Sequence, residues 1–172
     1  MEKIIIVYGS TTGTTEGMSQ LIMREIRAHA SGPSDKDLIS VRTTGNKPET
    51  EIKFSGLDVT VRDVASLSPK ELSDYGVIIL GCSTWGDGEL QEDFIDFEEE
   101  LRGIDLKDKR YAVFGPGESV YSQFCKAVDI LGETLKQCGA HEIIEGLKVD
   151  VMGGPFEDAV RAWAKSVIQA LN

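Results

Sequence analysis

Five runs rich in branched apolar residues recur along the chain, separated by stretches whose apolar positions repeat at helical spacing, and that alternation constrains the fold more than any other feature. The runs are 3–9 (KIIIVYG), 56–64 (GLDVTVRDV), 75–83 (YGVIILGCS), 109–117 (KRYAVFGPG) and 141–149 (HEIIEGLKV). Strands this apolar are buried on both faces, which happens when helices cover both sides of a parallel sheet. Helical patterns near 14–30, 90–101, 122–138 and 156–171 supply the cover, and Ser68-Pro69 reads as the N-cap and first residue of a short helical turn before the third strand. The expectation is an α/β fold, a five-stranded parallel sheet with helices on both faces, in a single domain spanning 1–172. Residues 30–56 break the rhythm. They exceed an ordinary connection and carry the β-like pieces LISVRTT and EIKFS around Gly45-Asn46, which suits either an extra hairpin or a mobile excursion. This atypical insertion leaves helix one and enters strand two at the end of the sheet opposite the ligand turns, so it is expected to sit away from any ligand.

Charge and cysteine content exclude several function classes. A formal net charge of -11 opposes binding to nucleic acid or to anionic membranes, so a macromolecular partner is expected to be basic. The opening apolar run is too short for a signal peptide and no stretch approaches a membrane span, which makes the expected location cytoplasmic. Cys82, Cys125 and Cys138 form no CxxC pair and are odd in number, so they read as core thiols rather than as a disulfide or zinc framework. His29 and His141 stand alone, and no metal site is expected.

The first strand runs into GSTTGTT, where the chain turns into a helix. Unpaired amides of a first helical turn point outward and the helix dipole adds partial positive charge, so an anion is stabilised there. Ser10, Thr11, Thr12, Thr14 and Thr15 add hydroxyl donors, and Gly13 lets the backbone curl close to a ligand. No lysine completes a Walker loop and no GxGxxG is present, so a terminal monophosphate fits better than a triphosphate with magnesium. The plain alternative is a hydroxyl-rich capping turn that holds nothing. Two further loops bear on the choice: GCSTWGDGELQEDF at 81–94 and FGPGESVYSQFC at 114–125 each place one large aromatic, Trp85 or Tyr121, among small residues. Two aromatic faces suit a flat, π-rich ligand.

YGSTTGTTE, GCSTWGDGELQEDF and FGPGESVYSQFCKAVD together resemble the short-chain flavodoxins, especially those of sulfate-reducing bacteria. The resemblance runs from Lys3 to about Val149 with the terminal helix, excepting 30–56. It implies a flavodoxin-like three-layer sandwich with strand order 2-1-3-4-5, the family being the standard example of FMN bound where that order reverses. It further implies a low-potential one-electron carrier that uses non-covalently bound FMN and shuttles electrons between redox proteins, with no substrate of its own and no catalytic side chains. Carried over by position, Ser10, Thr11, Thr12, Gly13, Thr14 and Thr15 would hold the phosphate. Ser83, Thr84, Trp85, Gly86 and Asp87 would form one isoalloxazine loop, with Trp85 on the inner face. Gly117, Glu118 and Tyr121 would form the other, with Tyr121 on the outer face and Phe124 and Cys125 at the pyrimidine end. Thr14 and Glu118 depart from the asparagine and aspartate usual in relatives, and the loop after Trp85 is shorter than in some. HEIIEGLKVDV is read as an uninterrupted last strand, the mark of the short-chain type.

Partners implied are reductases and ferredoxin-type or other oxidoreductase acceptors, met by a monomer through an acidic face. Gly86 is expected to let a loop carbonyl turn toward the flavin edge. Asp87, Glu89, Glu92, Asp93 and Glu118, with Lys70 the one cation between Arg62 and Arg102, are expected to oppose added negative charge. Two other readings compete. A quinone or nitro-compound reductase would need room for a nicotinamide over the flavin. A receiver-like module would need an acidic pair after strand one and an aspartate ending strand three, where the chain has Tyr8-Gly9-Ser10 and Gly81-Cys82-Ser83.

Overall fold

The computed structural model describes the backbone of residues 2–30, 38–44, 47–54 and 56–172, and the side chains of 2–29, 49–51 and 56–172. In chain order the elements are β1 (Glu2–Gly9), α1 (Thr14–Ala30), β2 (Leu38–Thr44), β3 (Lys47–Phe54), β4 (Leu57–Asp63), β5 (Val77–Cys82), β6 (Thr84–Trp85), β7 (Glu89–Leu90), α2 (Glu92–Leu101), β8 (Arg110–Gly117), α3 (Lys126–Gln137), β9 (His141–Glu142), β10 (Leu147–Asp150) and α4 (Glu157–Leu171). The parallel strands lie in the order β4-β1-β5-β8-β10, which is the 2-1-3-4-5 order expected. Between β4 and β5 the chain makes 3-10 turns at Val64–Ser66 and Pro69–Asp74. Ser68 caps the second in a capping box with Glu71, as its position before Pro69 suggests.

Strand residues alternate between two apolar layers because successive side chains point to opposite faces. Ile4, Ile6, Val77, Ile79 and Phe114 pack with α1 and α4, while Ile5, Val7, Ile78, Leu80 and Val113 pack with α2 and α3. Both sets are fully buried or nearly so. Burying each such side chain stabilises the fold by about 1.5–3 kcal/mol, so the central strands dominate the energetics. Gly81 stands opposite Phe114 in the ladder, and a Cβ at that position would lie inside the Phe114 ring. That vacancy lets the ring lie across β5 and reach Trp163 of α4 at 6.0 Å between centroids.

Residues 38–54 form an antiparallel hairpin, resolving the two alternatives for the insertion; the Gly45-Asn46 turn itself lies outside the described residues. β3 pairs antiparallel to β4, with Thr50 opposite Val61. Entry and exit of the insertion lie at the amino end of β4, as expected. β3, however, runs antiparallel along β4, so its start at Lys47 lies beyond Val61 toward the end where β1 and β5 finish. Glu49 lies 3.8 Å from the buried Arg62, which also holds Glu71 at 2.7 Å and so ties the hairpin to the 3-10 turn.

Two expectations need correction. The last strand is not continuous: β9 and β10 both pair with β8, but residues 143–146 stand opposite residues 112–113. The extra chain bulges out, and its Glu145 carbonyl accepts from Trp163 Nε1 at 2.9 Å, so α4 fixes the interruption. The helical pattern at 122–138 begins late, because Cys125 adopts a left-handed conformation (φ 49) and α3 starts only at Lys126. Residues 122–125 belong to a loop instead. Gly81→Ala should lower stability by about 1–3 kcal/mol, the cost of overpacking a filled core, measured as a shifted urea midpoint at unchanged slope.

Candidate functional site

A cleft of about 410 Å³ opens where β1, β5 and β8 end. One wall is the turn between β1 and α1. Gly13 (φ +91) carries the chain through a left-handed bend, its amide donates to Ser10 Oγ at 3.0 Å, and its carbonyl accepts from Gly17 at 2.9 Å. The bend leaves the first amides of α1 without helical acceptors, facing the same end as the Ser10, Thr11, Thr12, Thr14 and Thr15 hydroxyls that line the cleft. No lysine or arginine is among the lining residues.

The other walls come from the loops after β5 and β8. β6 and β7 form a tight hairpin with Trp85 opposite Glu89, closed by the Gly88 amide donating to the Trp85 carbonyl at 3.2 Å, with Gly86 at φ +51. Trp85 is 43% exposed and its Nε1 donates to Ser83 Oγ at 2.7 Å. Thr84 Oγ1 accepts from the Ala127 amide at 2.9 Å, so the first turn of α3 braces this loop. Tyr121, from the loop after β8, is 62% exposed and lines the same cleft. Large apolar rings left open to water on two loops of one cleft suit a planar ligand that would cover them.

Fourteen of the sixteen residues expected at a site line this cleft: Ser10, Thr11, Thr12, Thr14, Thr15, Ser83, Thr84, Trp85, Gly86, Gly117, Glu118, Tyr121, Phe124 and Cys125. Gly13 shapes the turn without lining the cleft, and Asp87 is exposed on the hairpin tip outside it. Pro116, Gln123 and Val151 line it unexpectedly. Val151 follows β10 and reaches the cleft only through sheet order, which spacing along the chain does not reveal. Of the insertion's residues with described side chains, Glu49, Thr50 and Glu51, none lines it. Gln91 was also missed. It is buried, caps α2 through Asp93, and its Nε2 donates to Thr11 Oγ1 at 3.3 Å, linking the loop after β5 to the turn after β1.

The charged surroundings are mostly acidic. Asp87, Glu89, Glu92, Asp93, Asp96, Glu99 and Glu100 are exposed on the β6–β7 hairpin and α2. The basic Lys126 starts α3 beside this hairpin, its Cγ 3.3 Å from where a Cβ on Gly88 would lie. Bonds from Ser119 and from the Met152 amide hold the Asp150 carboxyl below the usual range. Among the described residues no group of His, Cys, Asp and Glu side chains could hold a metal ion, and no helix is long and apolar enough to cross a membrane.

Comparison with known proteins gives a consistent result. Residues 49–163 match the family model described as Flavodoxin. The chain is 35% identical over 170 residues to a flavodoxin of Maridesulfovibrio salexigens, with 97% of each covered. It is 34% identical over 174 residues to a flavodoxin of Nitratidesulfovibrio vulgaris, with 99% of this chain and 100% of the relative covered. Among solved structures, oxidised Flavodoxin 1 from Bacillus cereus matches with a TM-score of 0.79 at 31% identity, covering 99% of this chain and 100% of that one. Fusobacterium nucleatum flavodoxin bound to flavin mononucleotide shares the fold, with a TM-score of 0.72 at 19% identity over 99% of this chain and 97% of that one.

The three cysteines are free and buried. Burial pushes the Cys82 thiol up to about 12 and the Cys125 thiol up to about 11, and raises Cys138 for the same reason. Thiolate is the reactive form, so at pH 8 all three should resist a thiol reagent in the native protein and react together in denaturant. Rapid labelling of Cys125 in the folded protein would contradict the geometry of this corner of the cleft.

Proposed function

The chain belongs to the flavodoxin family, and from that premise we propose that it carries electrons one at a time, at low potential, on a non-covalently bound FMN between redox proteins. The observation that carries the reading is the combination in one cleft of a cation-free helix N-terminus and two solvent-exposed rings, Trp85 and Tyr121, on separate loops. The residues present fit FMN: the Ser10–Thr15 turn offers neutral donors to a monophosphate, and Trp85 and Tyr121 offer apolar surface to the two faces of the isoalloxazine. Ser83, Thr84, Gly86, Asp87, Gly117, Glu118, Phe124 and Cys125 complete the assignment, with Asp87 at its edge and Gly13 shaping the turn.

Bound FMN supplies one- and two-electron redox chemistry, and the surrounding side chains set how unequal the two steps are. Gly86, already in the left-handed region, lets its peptide present either face to the flavin edge at small cost. Glu118 in the cleft wall and the carboxylates of α2 raise the energy of added negative charge. Each carboxylate about 10 Å away contributes on the order of 1 kcal/mol or less after screening, about 40 mV for one electron, so they act as a sum. Trp85 and Tyr121 exclude water from the ring faces and strengthen that effect. The acidic outer face of α2 would meet basic patches on partner proteins, favouring fast, transient docking over tight association.

Anaerobic titration of the loaded protein with a reductant tests the reading. Two separated one-electron steps, without turnover of NAD(P)H, are expected; a single two-electron step with steady NAD(P)H oxidation would make the protein a reductase instead. Gly86→Ala should narrow the gap between the two potentials by about 40 mV, the equivalent of one hydrogen bond.

A further inference from the structure

Asp150 closes β10, and its carboxylate reaches across to the neighbouring loop. Oδ1 accepts from the Ser119 amide at 3.3 Å and from the Met152 amide at 3.0 Å, while Oδ2 accepts from Ser119 Oγ. The main chain reinforces the junction, with the Val151 amide donating to the Gly117 carbonyl at 3.0 Å. Ser119 is the second residue of a turn closed by the Tyr121 amide donating to the Glu118 carbonyl at 3.1 Å. Holding Ser119 therefore holds the backbone from which Tyr121 projects. Tyr121 has little packing of its own to fix it, being 62% exposed. One carboxylate, far away in sequence and outside the residues lining the cleft, thus restrains the turn that carries one of its two rings.

We propose that Asp150 is the positioning residue for the Tyr121 wall of the cleft, setting through the amide and hydroxyl of Ser119 where that ring stands against a bound flavin. This rests on the reading of the cleft as a flavin site. A bare negative charge at Asp150 would also act on a flavin, but it would act without Ser119. The two roles separate cleanly. Ser119→Ala removes a bond and no charge, Asp150→Asn removes the charge but keeps an acceptor for the amides, and Asp150→Ala removes both.

In the flavin-stripped protein, amide hydrogen exchange at residues 119–121 should quicken by roughly tenfold in Ser119→Ala and in Asp150→Ala, as expected for one lost hydrogen bond. In the loaded protein the FMN dissociation constant should rise roughly tenfold in the same two variants and by less in Asp150→Asn. In a Tyr121→Ala background Ser119→Ala should cost nothing further, since the wall it serves is gone. Unchanged exchange and affinity in Ser119→Ala, with Asp150→Asn as costly as Asp150→Ala, would overturn the proposal and leave Asp150 as a charge alone. Should Asp150→Ala fail to fold, Ser119→Ala, at an exposed position, carries the test. A wild-type protein that takes up no FMN would refute the flavin reading, while the exchange measurement would still decide whether Asp150 holds the turn.

Discussion

A parallel strand cannot pass the chain to its neighbour through a tight hairpin, so every connection has to cross a face of the sheet and every central strand is buried on both sides. The rest of the molecule follows from that constraint. β1 lies between β4 and β5, so the chain leaves β1 in one direction and, after β4, returns past it in the other. At that reversal the connections diverge to opposite faces, and the crevice left at the carboxyl ends of β1 and β5 is where the loops after β1, β5 and β8 converge. The site is a product of strand order before it is a product of any side chain. Gly81 opposite Phe114 shows how tightly the middle of the sheet is filled beneath it.

The chemistry above the crevice depends on what is withheld as much as on what is supplied. The turn between β1 and α1 offers amides and hydroxyls but no lysine or arginine, a donor set that would suit one monoester. Exposed carboxylates follow along the β6–β7 hairpin and α2, and the three thiols stay protonated inside the apolar layers. Under the proposed reading an electron carrier would gain from all three features: a firmly held tail, a field that disfavours further negative charge, and no competing nucleophile or redox-active thiol near the flavin.

Much of this was legible in the sequence because the informative residues are local. Apolar runs separated by amphipathic stretches reveal a doubly covered sheet, and a hydroxyl-rich turn or a single aromatic in a small-residue loop marks a wall of the cleft without reference to anything distant. What was missed depends on contacts between remote elements. Val151, Asp150 and Lys126 reach the neighbourhood of the cleft through strand order and through the start of α3, not through proximity in the chain. The break between β9 and β10 lies in a stretch with ordinary strand composition, and the Glu145 carbonyl it frees is taken by Trp163 of the distant α4. Cys125, one residue in the left-handed region, moves the start of α3 to Lys126. The reach of β3 toward the carboxyl end of β4 follows from their antiparallel pairing, which no local pattern encodes.

FMN and riboflavin differ by a single phosphate, so the affinities of the flavin-stripped protein for the two, measured by titration calorimetry, weigh the Ser10–Thr15 turn and the ring walls in one experiment. FMN should bind at least about 100-fold more tightly, since two charge-assisted bonds to the phosphate are worth about 1.5–3 kcal/mol each. Equal affinities would place the phosphate elsewhere, and binding of neither flavin would contradict the assignment of the cleft altogether.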